Sequence, residues 1–355
     1  MRPVTLNVLH VDTERGWRGG ERQTLWLARE LARRGHVSIV AARSGEPLAE
    51  RAVAEGLTVV ACNPANEMDP FAAHALRSAI REHRINLVHA HTAHAVAVAA
   101  LATLGTGVPF VVARRVDFKL RDNLGTRLKY GRAAKFIAVS NAVASVLETS
   151  GIDRSRIDVV PDGVDIHRVV EPAARGTAPL VVQVSALVGH KDPLNFVRAI
   201  DRARQIVPEL RAMLVGEGPL RADVESEVAR LGLGDVLRVT GFRPDADDIL
   251  ASADVVCLSS RDEGMGSVLL DALAMGRPIA ATRAGGIPEV VGDCGVLVPV
   301  EEPNALGEAI ARLIRDSAFA ASIREKSRAR AAEFSVERMT DRTIAIYERV
   351  LAGGR

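Results

Sequence analysis

The chain has 355 residues, of which 48 % are hydrophobic and 25 % are charged. This balance is typical of a folded protein long enough for two domains, and it excludes disordered, collagen-like and coiled-coil chains. Aromatic residues make up only 3 % of the chain, too few for the stacking rings on which single-stranded nucleic acids bind. We therefore expect no nucleic-acid partner.

The formal net charge of +2 conceals an uneven distribution. Residues 1–180 carry 24 basic and 18 acidic side chains, whereas residues 181–355 carry 22 and 26. The three cysteines are far apart and lack metal-ligand spacing, as expected in a reducing compartment. With no signal-peptide pattern and no apolar run long enough to cross a bilayer, we expect a cytoplasmic protein, with peripheral attachment at the inner face of the membrane left open.

Short β-branched strands alternate with amphipathic helices through the first half of the chain, which predicts a parallel sheet covered by helices. The predicted strands are 6–11, 37–41, 58–61, 87–90, 110–113, 136–139 and 158–160, and the predicted helices are 21–34 and 70–83. Residues 1–170 are therefore interpreted as one doubly wound domain.

Residues 171–179 contain Pro and Gly without an apolar period and are the predicted linker. The alternation then starts again, with predicted strands at 180–184, 211–215, 237–240, 255–258 and 278–281 and predicted helices at 193–206, 220–231 and 268–275. This gives a second α/β domain over 180–333. A charged helix near 336–351 lies in a terminal segment, 334–355, that we expect to pack back on the first domain.

The segment Ser259-Ser260-Arg261-Asp262-Glu263-Gly264-Met265-Gly266-Ser267 joins a predicted strand to a predicted helix. Ligands of open α/β sheets bind beyond the carboxyl ends of strands, and a helix N-terminus attracts anions. Asp271 follows Glu263 by eight residues, about 80° of rotation on an ideal helix. Two carboxylates so placed could flank one polyhydroxylated ligand; the alternative, that Glu263 only stabilises its own helix dipole, explains less of the segment.

This segment, with the sequence that follows it to Val291, resembles the signature block of glycosyltransferase family four, the retaining group 1 enzymes of GT-B fold. Val159–Asp165 is similar to the family's V-I-P-N-G-V-D, and Val215–Pro219 to its G-x-G-P turn. The resemblance covers nearly the whole chain, most firmly 155–300. It implies two Rossmann-like doubly wound domains facing across a cleft, with the nucleotide sugar held mainly by the second and the acceptor by the first.

The resemblance also assigns roles in the second domain. Glu263 would contact the donor sugar, and Asp271, where the family usually has Glu, would contact the ribose. The double glycine Gly285-Gly286 would shape the wall of the site. The backbone that would hold sugar and diphosphate belongs to Gly264, Met265, Gly266 and Ser267, and the segment that reads the base contains Phe242 and Arg243.

Lys191 matches the lysine of the family's G-R-L-x-x-x-K-G segment, whose Arg and Lys neutralise the leaving diphosphate. Ala186 stands where the arginine belongs. Either Lys191 and a helix N-terminus suffice, or His190 or Arg261 substitutes for the missing cation. The sequence leaves these alternatives open.

In the first domain, His91 matches the family's V-x-H and would orient the donor sugar. His89 and His94 lie close to it in sequence, but their spacing fits no usual metal motif, so we expect no metal. Gly19 and Gly20 match the family's G-G-x-E loop, which lies against the donor diphosphate and the acceptor.

A basic run follows the predicted strand at 110–113. It binds either an anionic membrane surface or a phosphorylated or lipid-linked acceptor, or it is simply a solvated face. Its members are Arg114, Arg115, Lys119, Arg121, Arg127, Lys129, Arg132 and Lys135.

The expected function is retaining glycosyl transfer from a nucleotide-diphosphate sugar, with a UDP-sugar as the expected donor and no cofactor. The expected acceptor is a sugar or a lipid-linked saccharide, in surface polysaccharide or lipopolysaccharide biosynthesis. The alternatives are a nucleotide-sugar epimerase or a sugar phosphorylase on the same fold, and a non-catalytic nucleotide-sugar-binding protein, to which Ala186 lends weight.

Overall fold

A computed structural model describes residues 5–116, 118–120, 123–167 and 178–353. The chain divides into two compact units, residues 1–163 together with 336–355, and residues 164–335. Most of the predicted linker, residues 171–177, lies outside the described residues. Among the described residues, no helix is both long and apolar enough to span a membrane.

The first unit contains a seven-stranded sheet in the order β3-β2-β1-β4-β5-β6-β7, in which every pairing is parallel. Its strands are β1 Asn7–Val11, β2 Val37–Ala42, β3 Thr58–Ala61, β4 Leu87–Ala90, β5 Phe110–Arg114, β6 Lys135–Ala138 and β7 Ile157–Val159. The strands are rich in Val, Ile and Ala because helices cover both faces of a parallel sheet.

The helices of the first unit follow the strands in βαβ order. They are α1 Gly19–Arg33, α2 Pro47–Ala54, α3 Pro70–Glu82, α4 Ala93–Ala102, α5 Leu124–Gly131 and α6 Asn141–Thr149. Their N-termini are capped by short polar side chains where the sequence provides them; Asp69, for example, accepts hydrogen bonds from two backbone amides at the start of α3.

The second unit repeats this architecture with a six-stranded sheet in the order β10-β9-β8-β11-β12-β13, again parallel. The strands are β8 Leu180–Val184, β9 Arg211–Val215, β10 Leu237–Gly241, β11 Val255–Leu258, β12 Ile279–Thr282 and β13 Gly295–Val298. Its helices are α7 Pro193–Ile206, α8 Arg221–Arg230, α9 Ala246–Ser252, α10 Ser267–Ala274, α11 Ile287–Val291, α12 Pro303–Arg315 and α13 Ser317–Ala331.

The last helix, α14 (Val336–Gly353), belongs to the first unit. Its buried face, which includes Val336, Met339, Ile346 and Tyr347, packs with core side chains of that unit such as Leu27. The buried positions recur every three or four residues along α14 and include Thr340 and Thr343, the pattern of a helix that covers one side of a core.

The order of strands reverses once in each sheet, between β1 and β4 in the first and between β8 and β11 in the second. At such a point neighbouring connections run in opposite directions and leave a crevice at the carboxyl ends of the strands, where open α/β sheets bind ligands. Each unit therefore offers one preferred site.

Candidate functional site

In the second unit, Lys191 and Glu263 meet at the point where the strand order reverses. Lys191 follows β8 and Glu263 follows β11, which is its neighbour in the sheet. The Lys191 ammonium donates to Glu263 Oε2, and the Ser260 hydroxyl donates to the same oxygen at 3.2 Å. Only 21 % of the lysine side chain and 11 % of the glutamate side chain are exposed. The structure thus joins the predicted cation and the predicted sugar-binding carboxylate.

Glu263 lies in the turn before α10, whereas Asp271 is the fifth residue of the helix itself. The rotation of about 80° that an ideal helix would give does not apply to this pair, because the helix begins only after Gly266. Gly266 has φ +78°, a left-handed conformation that allows the chain to enter the helix from this turn. Asp271 is buried, with 8 % of the residue exposed.

The double glycine is held against the backbone of Glu263. Gly286 N–H donates to the Glu263 carbonyl at 2.9 Å. A Cβ on Gly285, whose φ is +47°, would lie 2.0 Å from that carbonyl oxygen. Gly285 therefore permits the close approach that fixes the Glu263 turn.

The four residues predicted to present their backbone occupy the end of this turn and the start of α10. Met265 is buried, with 3 % of the residue exposed. Gly264, Gly266 and Ser267 complete the set, with Ser267 as the first residue of the helix. The backbone amides at the N-terminus of α10 would attract a phosphate.

The G-x-G-P turn packs against the end of β8. A Cβ on Gly216 would lie 2.0 Å from the Ser185 carbonyl oxygen, and one on Gly218 would lie 2.4 Å from the Leu187 carbonyl oxygen. Both glycines are therefore required by packing of the backbone beside Ala186. Nothing in this packing supplies a cation in place of the family's arginine, whose position Ala186 occupies.

Phe242 and Arg243, predicted to read the base, follow β10. Phe242 is 65 % exposed, which leaves its ring accessible for stacking. Arg243 Nε donates to Asp245 Oδ1 at 2.7 Å. Base recognition by this segment stays a prediction.

In the first unit, Gly19 and Gly20 open α1, directly beyond β1. A Cβ on Gly20 would meet no atom within 4 Å, so packing alone does not require glycine there. Glu21, the next residue, accepts from the Arg18 amide at 2.7 Å, and burial raises the pKa of its carboxyl. The glycines leave the N-terminus of α1 open to close approach by a ligand.

His91 lies just after β4, as predicted, but its ring partners come from elsewhere in the unit. His91 Nε2 lies 3.0 Å from His10 Nδ1, and Arg115 Nη1 lies 3.4 Å from His91 Nδ1. His10 is in β1 opposite His89 of β4, whose Nδ1 lies 2.6 Å from the Tyr347 hydroxyl.

His94 lies apart from these rings: its side chain is 58 % exposed and faces Glu14. The cluster is therefore His10, His89 and His91, and not the three histidines that lie close together in sequence.

The guanidinium of Arg115 determines the tautomers. Arginine only donates hydrogen bonds, so His91 Nδ1 must accept, and His91 Nε2 then carries the proton that it donates to His10 Nδ1. Both ring nitrogens of His91 are thus engaged within the unit. The predicted contact between His91 and a donor sugar requires one of these hydrogen bonds to be exchanged.

The three histidines are neutral near pH 7. Burial, reinforced by the Arg115 charge, lowers the pKa of His10 to about 3, and burial lowers the pKa of His89 and of His91 well below the usual value. Neutral imidazoles are metal ligands, and nitrogens of the three rings lie within 4.8 Å of one another. A metal on His91 Nε2, however, would place a proton on Nδ1, facing the N–H of Arg115. The arrangement suits a hydrogen-bonded chain better than a metal site.

Most residues of the basic run form hydrogen bonds or ion pairs inside the first unit. Arg115 Nε donates to Asp162 at 2.9 Å, Lys129 pairs with Glu67 at 2.9 Å, and Lys135 donates to the Ser155 carbonyl at 2.6 Å. The side chains of Arg114 and Arg132 donate to backbone carbonyls, those of Phe118 and Ala100 respectively. Arg121 lies outside the described residues, and Lys119 and Arg127 are exposed. The structure gives these cations mainly an internal role.

Sequence reasoning missed His10 and Arg115 as partners of His91, and it missed the hydrogen bond from Ser260 to Glu263. Spacing along the chain gives no signal for the contacts of His91, whose partners lie 81 and 24 residues away. The signal that could have found His10 is the parallel alignment of β1 with β4, which places His10 opposite His89.

Two family profiles match the chain. One, described as Glycosyltransferase Family 4, matches residues 17–168, and another, described as Glycosyl transferases group 1, matches residues 178–316. The chain belongs to the group 1 glycosyltransferases. The resemblance stated from the sequence motifs is thereby confirmed.

Curated group 1 relatives are similar over part of their length. MMP alpha-(1->4)-mannosyltransferase of Mycolicibacterium hassiacum is 30 % identical over 225 residues, which are 61 % of this chain and 54 % of that protein. D-inositol 3-phosphate glycosyltransferase of Mycolicibacterium paratuberculosis is 32 % identical over 279 residues, 74 % of this chain and 61 % of that protein. The chain thus spans little more than half the length of these relatives.

Among solved structures, that of Anabaena HepE in complex with UDP-glucose has a TM-score of 0.84 with this group 1 glycosyltransferase chain. The sequences are 22 % identical, and the match covers 97 % of this chain and 99 % of that chain. At this identity the likeness shows the fold, and the predicted fold class, GT-B with two Rossmann-like domains, is confirmed.

Proposed function

We propose that this chain is a retaining glycosyltransferase that moves a sugar from a UDP-sugar to a sugar or lipid-linked saccharide acceptor. The observation that carries the proposal is the meeting of Lys191 and Glu263 at the reversal point of the second sheet, beside the N-terminus of α10. A cation, a carboxylate and the backbone amides of a helix N-terminus are the groups that a diphosphate-linked sugar requires.

Each group has a role in the proposed reaction. Lys191 and the amides at Gly264–Ser267 stabilise the charge that develops on the departing diphosphate. Glu263 accepts hydrogen bonds from hydroxyls of the donor sugar, and Asp271 accepts from the ribose. When the donor binds, Lys191 exchanges the carboxylate for phosphate oxygens, which frees Glu263 for the sugar.

The bond from the sugar to the diphosphate breaks, and a new bond forms to the acceptor oxygen on the same face of the sugar. The acceptor proton leaves with the diphosphate. No metal or other cofactor is part of the proposal, because cationic side chains and backbone amides neutralise the phosphates.

The donor base is taken as uracil because the structure of similar fold, HepE of Anabaena, was solved with UDP-glucose. We expect action at the cytoplasmic face of a membrane, in assembly of a surface polysaccharide or lipopolysaccharide. Within the first unit, the surface around α5 is the proposed membrane contact.

The first test is thermal unfolding in the presence of UDP, GDP, ADP and NAD. A nucleotide that binds the folded state raises the unfolding temperature by mass action, and we expect UDP to give the largest shift. Stabilisation by NAD alone would instead indicate a dinucleotide enzyme. Stabilisation by UDP without turnover on any acceptor would indicate a non-catalytic binding protein.

The second test replaces Glu263 and Lys191 one at a time with Ala. We expect each change to lower UDP-sugar turnover by about 100-fold or more, the usual effect of removing a group that stabilises developing charge. Glu308→Ala and Lys326→Ala, at exposed positions of the same unit, are the controls. Near-normal turnover in both test variants would refute the proposal.

A further inference from the structure

The turn that carries Lys191 contains a strained residue. Asp192 has φ +44° and ψ +60°, the left-handed conformation that favours glycine. It is nevertheless buried, with 5 % of the residue exposed, and it caps α7 by accepting from Asn195 N–H. Aspartate tolerates this conformation better than most residues, but the turn still needs support from outside.

That support comes from the turn after β11. Arg261 Nε donates to Asp192 Oδ2 at 2.7 Å, and Arg261 N–H donates to the His190 carbonyl at 2.8 Å. The Ser259 hydroxyl lies 2.8 Å from the Asp192 carbonyl and 3.1 Å from the Lys191 carbonyl. The backbone on both sides of Lys191 is thus tied to the segment that ends in Glu263.

We propose that Arg261 is a positioning residue: its ion pair with Asp192 holds the left-handed turn and thereby keeps Lys191 beside Glu263. This inference rests on the proposed function, because it assigns Arg261 a part in binding the UDP-sugar through Lys191. It concerns a contact between two turns of the second unit and requires no group from the first.

The alternative is that Arg261 replaces the missing cation at Ala186 and binds the diphosphate itself. The surroundings of its guanidinium favour the positioning role. Nε is taken by Asp192, which is nearly buried, and Nη1 lies 3.1 Å from Glu301. Two carboxylates therefore neutralise the positive charge with which Arg261 would bind a phosphate.

The test is a double-mutant cycle that uses glycine to remove the strain. Arg261→Leu alone lets the turn relax, and we expect UDP affinity and kcat/KM each to fall about tenfold to 100-fold, as expected for a displaced catalytic group. Asp192→Gly adopts the left-handed backbone without help, so it should keep UDP affinity within about threefold. In the Asp192→Gly background, Arg261→Leu should then lower UDP affinity and kcat/KM by less than about twofold.

Two results would overturn the inference. An equal loss from Arg261→Leu in both backgrounds would show that Arg261 contacts the diphosphate directly. Unchanged UDP affinity and kcat/KM in Arg261→Leu would show that the ion pair does not position Lys191. Arg202→Leu, which breaks the exposed pair between Arg202 and Glu308 in the same unit, is the matched control and should change neither quantity.

Asp192→Ala keeps the inference testable where Arg261→Leu does not fold. Alanine neither adopts the left-handed turn readily nor pairs with Arg261, so UDP affinity should fall by at least as much as in Arg261→Leu. Asp192→Ala with the affinity of Asp192→Gly would refute the role of strain. Failure of the proposed function would give a different result, because the wild-type protein itself would then bind no UDP.

Discussion

Lys191 and Glu263 form an ion pair that is largely removed from solvent. Removal of one partner leaves the other as an uncompensated, partly buried charge, which costs stability as well as function. Loss of activity in either alanine variant is therefore interpretable only beside a measurement of its unfolding. In the Lys191→Ala variant, the Ser260 hydroxyl still donates to Glu263 and stabilises part of the carboxylate charge.

Gly285 is the residue at which one added methyl group should have the largest effect. Gly285→Ala would place Cβ 2.0 Å from the Glu263 carbonyl oxygen and strain a backbone with φ +47°. We expect a loss of about 2 kcal/mol or more in the free energy of unfolding, because overpacking and strain add, together with weaker UDP binding. Denaturant unfolding and UDP titration measure the two effects.

Gly234→Ala is the control for this variant, since a Cβ there meets nothing within 4 Å. It should leave both quantities unchanged. If Gly285→Ala unfolds at the same denaturant concentration as wild type, the close approach to Glu263 is not a constraint in solution.

Helix α5 exposes apolar side chains to solvent. Its residues Leu124 and Leu128 lie four apart on one face and are 72 % and 64 % exposed. Phe118, before the helix in sequence, is 50 % exposed, and the basic residues Lys119 and Arg127 are also exposed. Apolar side chains with adjacent cations fit the headgroup region of an anionic bilayer.

The membrane prediction is tested on this element. Leu124→Glu with Leu128→Glu should lower binding to vesicles that contain anionic lipid about tenfold, because two apolar contacts become repulsive charges. Charge reversal of Arg127, an exposed residue of the basic run, should also lower binding. Val53→Glu, on the exposed side of α2, is the control and should bind like wild type. Absence of vesicle binding by the wild-type protein would refute the membrane prediction.

At the scale of the whole molecule, the three buried histidines make the stability of the first unit depend on pH. Each is neutral when folded, because burial lowers its pKa, and the pKa of His10 falls to about 3. In the unfolded chain a histidine takes up a proton near pH 6.5. Below that pH the unfolded state binds more protons than the folded state, so stability falls as pH falls.

We expect the free energy of unfolding of the first unit to decrease from pH 6.5 downward by about 1.4 kcal/mol per pH unit for each buried histidine. Unfolding followed between pH 8 and pH 5 measures the slope. His10→Gln should reduce the slope by about a third, and His94→Gln, at an exposed position, should not change it. A stability that is flat over this range would show that the histidines are not held neutral.

Much of the architecture could be predicted from local pattern. Strand β11, for example, is a short apolar run. The predicted bounds of α7 are those observed, since Pro193 fixes its start and its apolar residues follow the helical period. Helix α4 has no such period, because it is apolar on nearly every side. No strand was predicted at β13, which is only four residues long and begins with Gly295.

The sequence by itself determined the alternation of strands and helices, and with it the parallel sheets and the turns that carry Glu263 and Lys191. These depend on residues close together in the chain, whose propensities and periodicity act locally. It also carried the motifs that identify the family.

Only the tertiary structure decided which side chains meet. Lys191 and Glu263 are 72 residues apart, and His10 and His91 are 81 residues apart; each pair is joined because its strands are neighbours across the point where the sheet order reverses. The pairing of Arg261 with Asp192 arises in the same way. Strand order follows from how whole helices and strands bury their apolar faces, and no short stretch of residues encodes that choice.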